Sequence, residues 1–170
     1  LIDGGVMSRW LGERCQVDDV LELEGPFGQF FWREKKRAPH VFVAGGTGLA
    51  PVLAMLESIR RQGGIKPPLL LVFGCRSPTS LFGTEELALL QQWLPTLEVR
   101  TAVEQGAPQG CFAGTPLSAL TAHDFAHPDT VSYVCGPPAM VAAAQILMSS
   151  WGVNPSQIHS EQFAPSAAPE

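Results

Sequence analysis

Five strand-like segments recur along the chain, three of them nearly apolar throughout, and the stretches between them carry helical spacing. The segments fall at 40–44, 69–74, 97–103, 130–135 and 158–163, and the helical stretches at about 51–62, 84–93 and 138–150. A short helical turn is expected near 116–121. Leu69-Leu70-Leu71-Val72-Phe73 is apolar throughout, as a strand covered on both faces must be. Val41-Phe42-Val43-Ala44 and Val131-Ser132-Tyr133-Val134 are nearly so. Leu97-Glu98-Val99-Arg100-Thr101 alternates, and Ile158-His159-Ser160-Glu161 is short and polar, so both belong at edges. Strands alternating with helices predict a mostly parallel α/β sheet with helices on both faces. Five strands in the order 3-2-1-4-5 satisfy this sorting. That order sets the first and fourth strands side by side, at the switch point where open α/β sheets bind ligands.

Residues 1–37 differ in character. Val20-Leu21-Glu22-Leu23-Glu24 alternates with period two, as a half-buried strand does. Gly25-Pro26-Phe27-Gly28 turns the chain into Phe30-Phe31-Trp32. The region is too short to build its own core and reads as the end of a β-rich domain. The α/β domain is expected over 38–164, with 165–170 a disordered tail. The chain opens on Leu1 rather than Met, which suggests a piece of a larger protein. Arg33-Glu34-Lys35-Lys36-Arg37 is a charged joint, read as a solvated linker, with a docking patch for an acidic electron-transfer partner as the alternative.

Composition narrows the function classes. The 170 residues are 45% hydrophobic, enough for a sizeable core, and the net charge is −5 with no long basic block. Nucleic acid is therefore not the expected partner. No apolar run is long enough to span a bilayer. Cys15, Cys75, Cys111 and Cys135 form no close pair, which argues against a metal or iron–sulfur site here and fits a reducing cytoplasm. The four histidines show no metal-ligand spacing.

Two loops carry the candidate chemistry. Gly45-Gly46-Thr47-Gly48-Leu49-Ala50-Pro51 follows the first strand, and Cys135-Gly136-Pro137-Pro138 follows the fourth. Both lead into helices. Glycines let backbone approach a pyrophosphate, and a helix N-terminus offers free N–H donors. Pro51 suits a first helical turn, where no donor is lost. The lysine of a P-loop is missing, so a Walker-type NTPase is excluded.

With Gly4-Gly5-Val6-Met7-Ser8 and Gly25-Pro26-Phe27-Gly28, these loops span nearly the whole chain. In that order they resemble the C-terminal part of the ferredoxin–NADP⁺ reductase superfamily, and within it the reductase components of bacterial aromatic-ring oxygenases. The resemblance implies that Gly5, Val6, Met7 and Ser8 contact the FAD pyrophosphate, where an ordinary helix cap is the plainer reading. It implies that Gly46, Thr47, Gly48 and Pro51 hold the nicotinamide dinucleotide phosphates. Cys135 would lie near the nicotinamide C4 and flavin N5, orienting the ring rather than acting as a nucleophile. Gly136, Pro137 and Pro138 would shape that wall. Arg76 would pair with a phosphate or stack on the adenine, or simply cap a turn. NADPH-using relatives carry a Ser-Arg pair where this chain has Glu104-Gln105. A carboxylate repels a 2′-phosphate and accepts from ribose hydroxyls, so NADH is expected over NADPH. Phe163 would lie against the flavin, or close the last strand as a core residue. The family's Arg-x-Tyr-Ser/Thr flavin motif is not found here.

The implied whole is an end of an FAD-binding β-barrel followed by a dinucleotide-binding domain. It would pass a hydride from NADH to FAD, then electrons to a [2Fe–2S] ferredoxin domain or protein serving a terminal oxygenase. The alternatives are a flavohaemoglobin-type or free flavin reductase, or a non-catalytic nucleotide-binding module.

Overall fold

The computed structural model describes residues 6–25, 27–35 and 37–163. In chain order the elements are α1 (Val6–Glu13), β1 (His40–Gly45), α2 (Leu49–Arg61), β2 (Leu69–Cys75), α3 (Thr84–Trp93), β3 (Leu97–Val103), β4 (Phe112–Ala113), β5 (Val131–Gly136), α4 (Pro138–Ser150) and β6 (Ile158–Gln162). A 3₁₀ turn, Gly46–Gly48, joins β1 to α2. The sheet order is β4-β3-β2-β1-β5-β6 and every pairing is parallel.

The predicted order of five strands is present inside this sheet, but the sheet has six strands. The extra one is β4, whose Phe112 and Ala113 pair with Ala102 and Val103 on the outer side of β3. Two exposed residues carry no readable periodicity, so nothing in the sequence marks it. The expected turn near 116–121 is a 3₁₀ turn, Pro116–Ala119.

β1, β2 and β5 are buried along their whole length. Successive side chains on a strand point to opposite faces. Phe42, Leu71, Phe73 and Tyr133 therefore meet α2 and α3, while Val41, Val43, Val72 and Val134 meet α4. α2 buries Val52, Leu56 and Ile59, the i, i+4, i+7 stripe of an amphipathic helix.

Val20–Glu24 is not a half-buried strand. It is exposed and joins no ladder. Alternation defines a face, but that face needs neighbouring strands to pair with, and no strand lies before His40 among the described residues. α1 buries none of its residues.

The joint at 30–35 is fastened to the sheet. The Arg33 backbone N–H donates to the Tyr133 phenol oxygen at 2.7 Å. The His40 imidazole Nε2–H donates to the Lys35 carbonyl at 3.2 Å. Phe30 meets Tyr133 edge-on and Trp32 lies tilted against His40, with ring centres 6.2 and 5.9 Å apart. Burial pushes the His40 pKa down and the Tyr133 phenol up to about 12, so both are neutral anchors at physiological pH. Tyr133→Phe should strand the Arg33 N–H and lower stability by about 1–3 kcal/mol. Urea unfolding of the two proteins measures this; an unchanged midpoint would show that the bond contributes nothing.

Candidate functional site

The sheet order brings the two glycine-proline loops into contact. Ala44 lies in register with Cys135, so β1 and β5 end side by side. Gly48 rests against the Cys135 carbonyl, with no space for a Cβ between them. A Cβ on Gly136 would stand 3.1 Å from the Gly45 carbonyl oxygen. The loops thus touch backbone to backbone. Gly46 has φ +53°, and the space a side chain would occupy is open. No side chain caps the first turn of α2 or α4.

A cleft of about 420 Å³ opens beside this contact. Gly45, Gly46, Pro137 and Met140 form one wall, and Cys75, Arg76 and Glu104 line another side. Arg76 and Glu104 are far apart in sequence, yet the β2–β3 ladder continues past both strands to hold them. The Glu104 N–H donates to the Cys75 carbonyl at 3.1 Å, and the Gln105 N–H to that of Arg76 at 3.0 Å. Thr115 and Pro116 complete the rim. The Pro116 ring packs onto Gly74 where a Cβ would stand.

Of the residues singled out from the sequence, Gly46, Arg76, Glu104 and Pro137 line this one cleft. Gly48 and Gly136 lie directly behind it in the loop contact. Cys135 is fully buried at the end of β5. Burial, and secondarily the Glu161 carboxylate across the ladder, pushes its thiol up to about 12. It is therefore a neutral thiol, and it does not itself line the cleft. Thr47 and Pro138 are exposed at their helix starts. Phe163 is 41% exposed, and its backbone N–H donates to the Gly136 carbonyl at 3.1 Å. It does not sit in the core.

Other expected residues lie elsewhere. Pro51 occupies the first turn of α2 but lines a separate groove with Phe30, Phe31 and Trp32. Val6, Met7 and Ser8 form the first turn of α1 and do not line the cleft. Gly5 lies outside the described residues. Gly74 and Cys75, directly before Arg76, also line the cleft, while Ser80, Thr115, Pro116 and Met140 were not read from the sequence. A glycine inside an otherwise apolar strand is a recognised sign of close approach, and Gly74 is one. Met140 lies four residues after Gly136, the spacing that brings a side chain back over the preceding turn. Among the described residues no three of His, Cys, Asp and Glu are placed to hold a metal ion. No described helix is long and apolar enough to cross a membrane.

The oxidoreductase NAD-binding domain model matches residues 42–145, the stretch that carries both loops. The chain belongs to this domain family of the ferredoxin reductases. The toluate 1,2-dioxygenase electron transfer component of Pseudomonas putida is 34% identical over 168 residues, covering 98% of this chain and 49% of that protein. The anthranilate 1,2-dioxygenase electron transfer component of Acinetobacter baylyi is 32% identical over 164 residues, covering 96% and 47%. The chain therefore spans about half the length of the curated relatives it matches. Among solved structures, the Amycolatopsis cytochrome P450 reductase GcoB superposes with a TM-score of 0.84 at 27% identity, over 98% of this chain and 51% of that one.

Proposed function

We propose that the chain is the dinucleotide-binding part of an NADH-dependent flavoprotein reductase. In this reading the electrons go to an iron–sulfur centre, in a ferredoxin-like domain or protein, that serves a terminal oxygenase in the cytoplasm. The observation that carries it is the backbone contact between the Gly45–Gly48 and Cys135–Gly136 loops beside an open cleft. At about 420 Å³, the cleft falls within the range of cofactor sites, roughly 300–1,000 Å³. The open backbone at Gly46 and the uncapped helix starts are suited to a pyrophosphate. The named relatives are electron transfer components of dioxygenases, which supports the direction of flow.

A nicotinamide dinucleotide bound in this cleft would supply the hydride chemistry, and a flavin in the whole protein would supply the change from two-electron to one-electron transfer. The chain's own residues do the holding. Gly46, Thr47 and Gly48 present backbone to phosphates. Pro51 ends the donor series at the helix start. Arg76 would meet the adenosine half and Glu104 would accept from ribose hydroxyls, while Pro137 and Pro138 would shape the wall for the reactive ring with Cys135 and Gly136 packed behind them. Phe163, exposed and tied to Gly136, is suited to cover a flavin. Residues 1–37 would form the end of a flavin-binding barrel, with Gly5, Val6, Met7 and Ser8 at the FAD pyrophosphate. Val17 and Val20, 93% and 95% exposed, are apolar surface that such a barrel would cover.

Mixing the flavin-loaded full-length protein anaerobically with NADH tests this reading. Bleaching of the flavin absorbance within seconds supports it. A flavin that dithionite reduces but NADH does not would overturn it. Glu104→Gln should raise NADPH affinity about tenfold, because two like charges about 4 Å apart near a protein surface repel by one to a few kcal/mol. It should leave NADH unchanged or weaker. Equal NADPH binding by both proteins would remove Glu104 from the specificity argument.

A further inference from the structure

Gly45 has φ −112° and ψ 118°, an extended conformation that any residue adopts. The turn therefore does not require glycine at this position. The space a side chain would need is held by Met140: a Cβ on Gly45 would stand 2.5 Å from the Met140 Sδ, 3.2 Å from its Cε and 3.1 Å from the Pro137 Cδ, so the thioether would have to swing aside. The Met140 Cε would be 2.8 Å from a Cβ on Gly136. One thioether thus takes the side-chain space of both loops. It comes from the first turn of α4, where side chains lean back toward the helix start. Met140 is only half-buried, and the rest of it lines the cleft beside Gly46 and Pro137. An unbranched, polarizable side chain fits such an irregular gap better than a branched one.

We infer that Met140 is a positioning residue for the dinucleotide: its thioether spaces the two glycine loops and forms the apolar wall against which the ligand lies. This rests on the dinucleotide reading above. A methionine that merely filled the core would be buried, and its loss would appear in stability alone. A spacer at the cleft wall appears in affinity as well.

The test combines Met140→Leu, Met140→Ala, Gly45→Ala and the double variant Gly45→Ala/Met140→Ala in the full chain. NADH Kd is read by isothermal titration and Tm by scanning calorimetry. Met140→Leu should keep Kd within about threefold, since volume-conserving apolar swaps are tolerated. Met140→Ala should weaken NADH at least tenfold. Gly45→Ala should displace the thioether and weaken NADH with little change in Tm, and adding Met140→Ala should weaken NADH no further than Met140→Ala alone. Wild-type affinity in Met140→Ala, or in the double variant, overturns the inference while leaving the dinucleotide reading intact. A wild-type chain that binds no NADH overturns the dinucleotide reading, and this inference with it.

Discussion

Gly48→Ala is expected to abolish NADH binding and to lower Tm by several degrees. Gly48 has φ −60° and ψ −10°, so alanine costs nothing in backbone conformation, and at this N-cap position any propensity gain falls below the roughly 1 kcal/mol of a helix interior. The opposing effect is steric. The new methyl would overlap the Cys135 carbonyl and stand 3.0 Å from the Gly136 N. These are backbone atoms of a strand end and cannot rotate away. One loop must move, and overpacking of this kind costs about 1–3 kcal/mol or more, so the clash outweighs the propensity gain. The displaced loop would carry Gly46 or Pro137 away from the cleft. Gly46→Ala is the control. Its methyl would enter open space at φ +53°, so its cost in stability is strain of about 1–2 kcal/mol and the loop contact survives; it is a control for the contact and not for affinity, since that space is the one proposed for the pyrophosphate. Calorimetry of both variants and NADH titration of Gly48→Ala decide this. A Gly48→Ala protein with wild-type Tm and affinity would mean that the loops are not in contact.

Asp124→Ala is expected to be a costly change outside the cleft, at about 1–3 kcal/mol, the cost of taking a partner from part-buried hydrogen-bonding groups. Both Asp124 oxygens accept from the Arg100 guanidinium at 2.9 Å. The Arg100 fork also donates to the Ala119 carbonyl at 2.9 Å. The Asp124 side chain is 7% exposed and that of Arg100 20%. The Thr121 N–H adds a bond to Asp124 at 2.7 Å. This network ties β3 to the loop that continues from the cleft rim; without Asp124 the Arg100 fork keeps only the Glu98 carboxylate, at 2.6 Å from its Nε, and the Ala119 carbonyl. Burial alone would raise the Asp124 pKa, but the bonds from Arg100 and Thr121 outweigh it and hold the carboxyl below its usual value of 3.8. The folded state therefore binds this proton less readily than the unfolded state. The stabilisation is present above about pH 4 and is lost as pH falls through the depressed folded value. Urea midpoints against pH should fall more shallowly below pH 4 in Asp124→Asn than in the wild type. Parallel curves would place the acid sensitivity elsewhere. NADH affinity should stay near wild type, because Asp124 does not line the cleft.

The central sheet was legible because burial writes itself into composition. Leu69–Phe73 is apolar at every position and lies at the heart of the sheet, while the polar 158–161 stretch lies at its edge. Once strands are ranked in this way, the two loops become neighbours without further information. β4 was illegible because two exposed residues pair through backbone alone. Val20–Glu24 misled because alternation describes a face, not the presence of a partner. Within the site, glycines and prolines announced themselves as motif residues. Met140 and Pro116 did not, since each residue type is commonest as plain packing and only the folded arrangement sets them around the cleft.

The central claim is that the dinucleotide lies between these two loops. Adding NADH to the isotopically labelled chain and following backbone amide shifts by NMR tests it most directly. The largest shifts are expected at Gly45, Gly46, Thr47, Arg76, Glu104 and Gly136, with smaller shifts for NADPH at equal concentration. Shifts concentrated away from the carboxyl ends of β1, β2 and β5, or none at millimolar NADH, would contradict it.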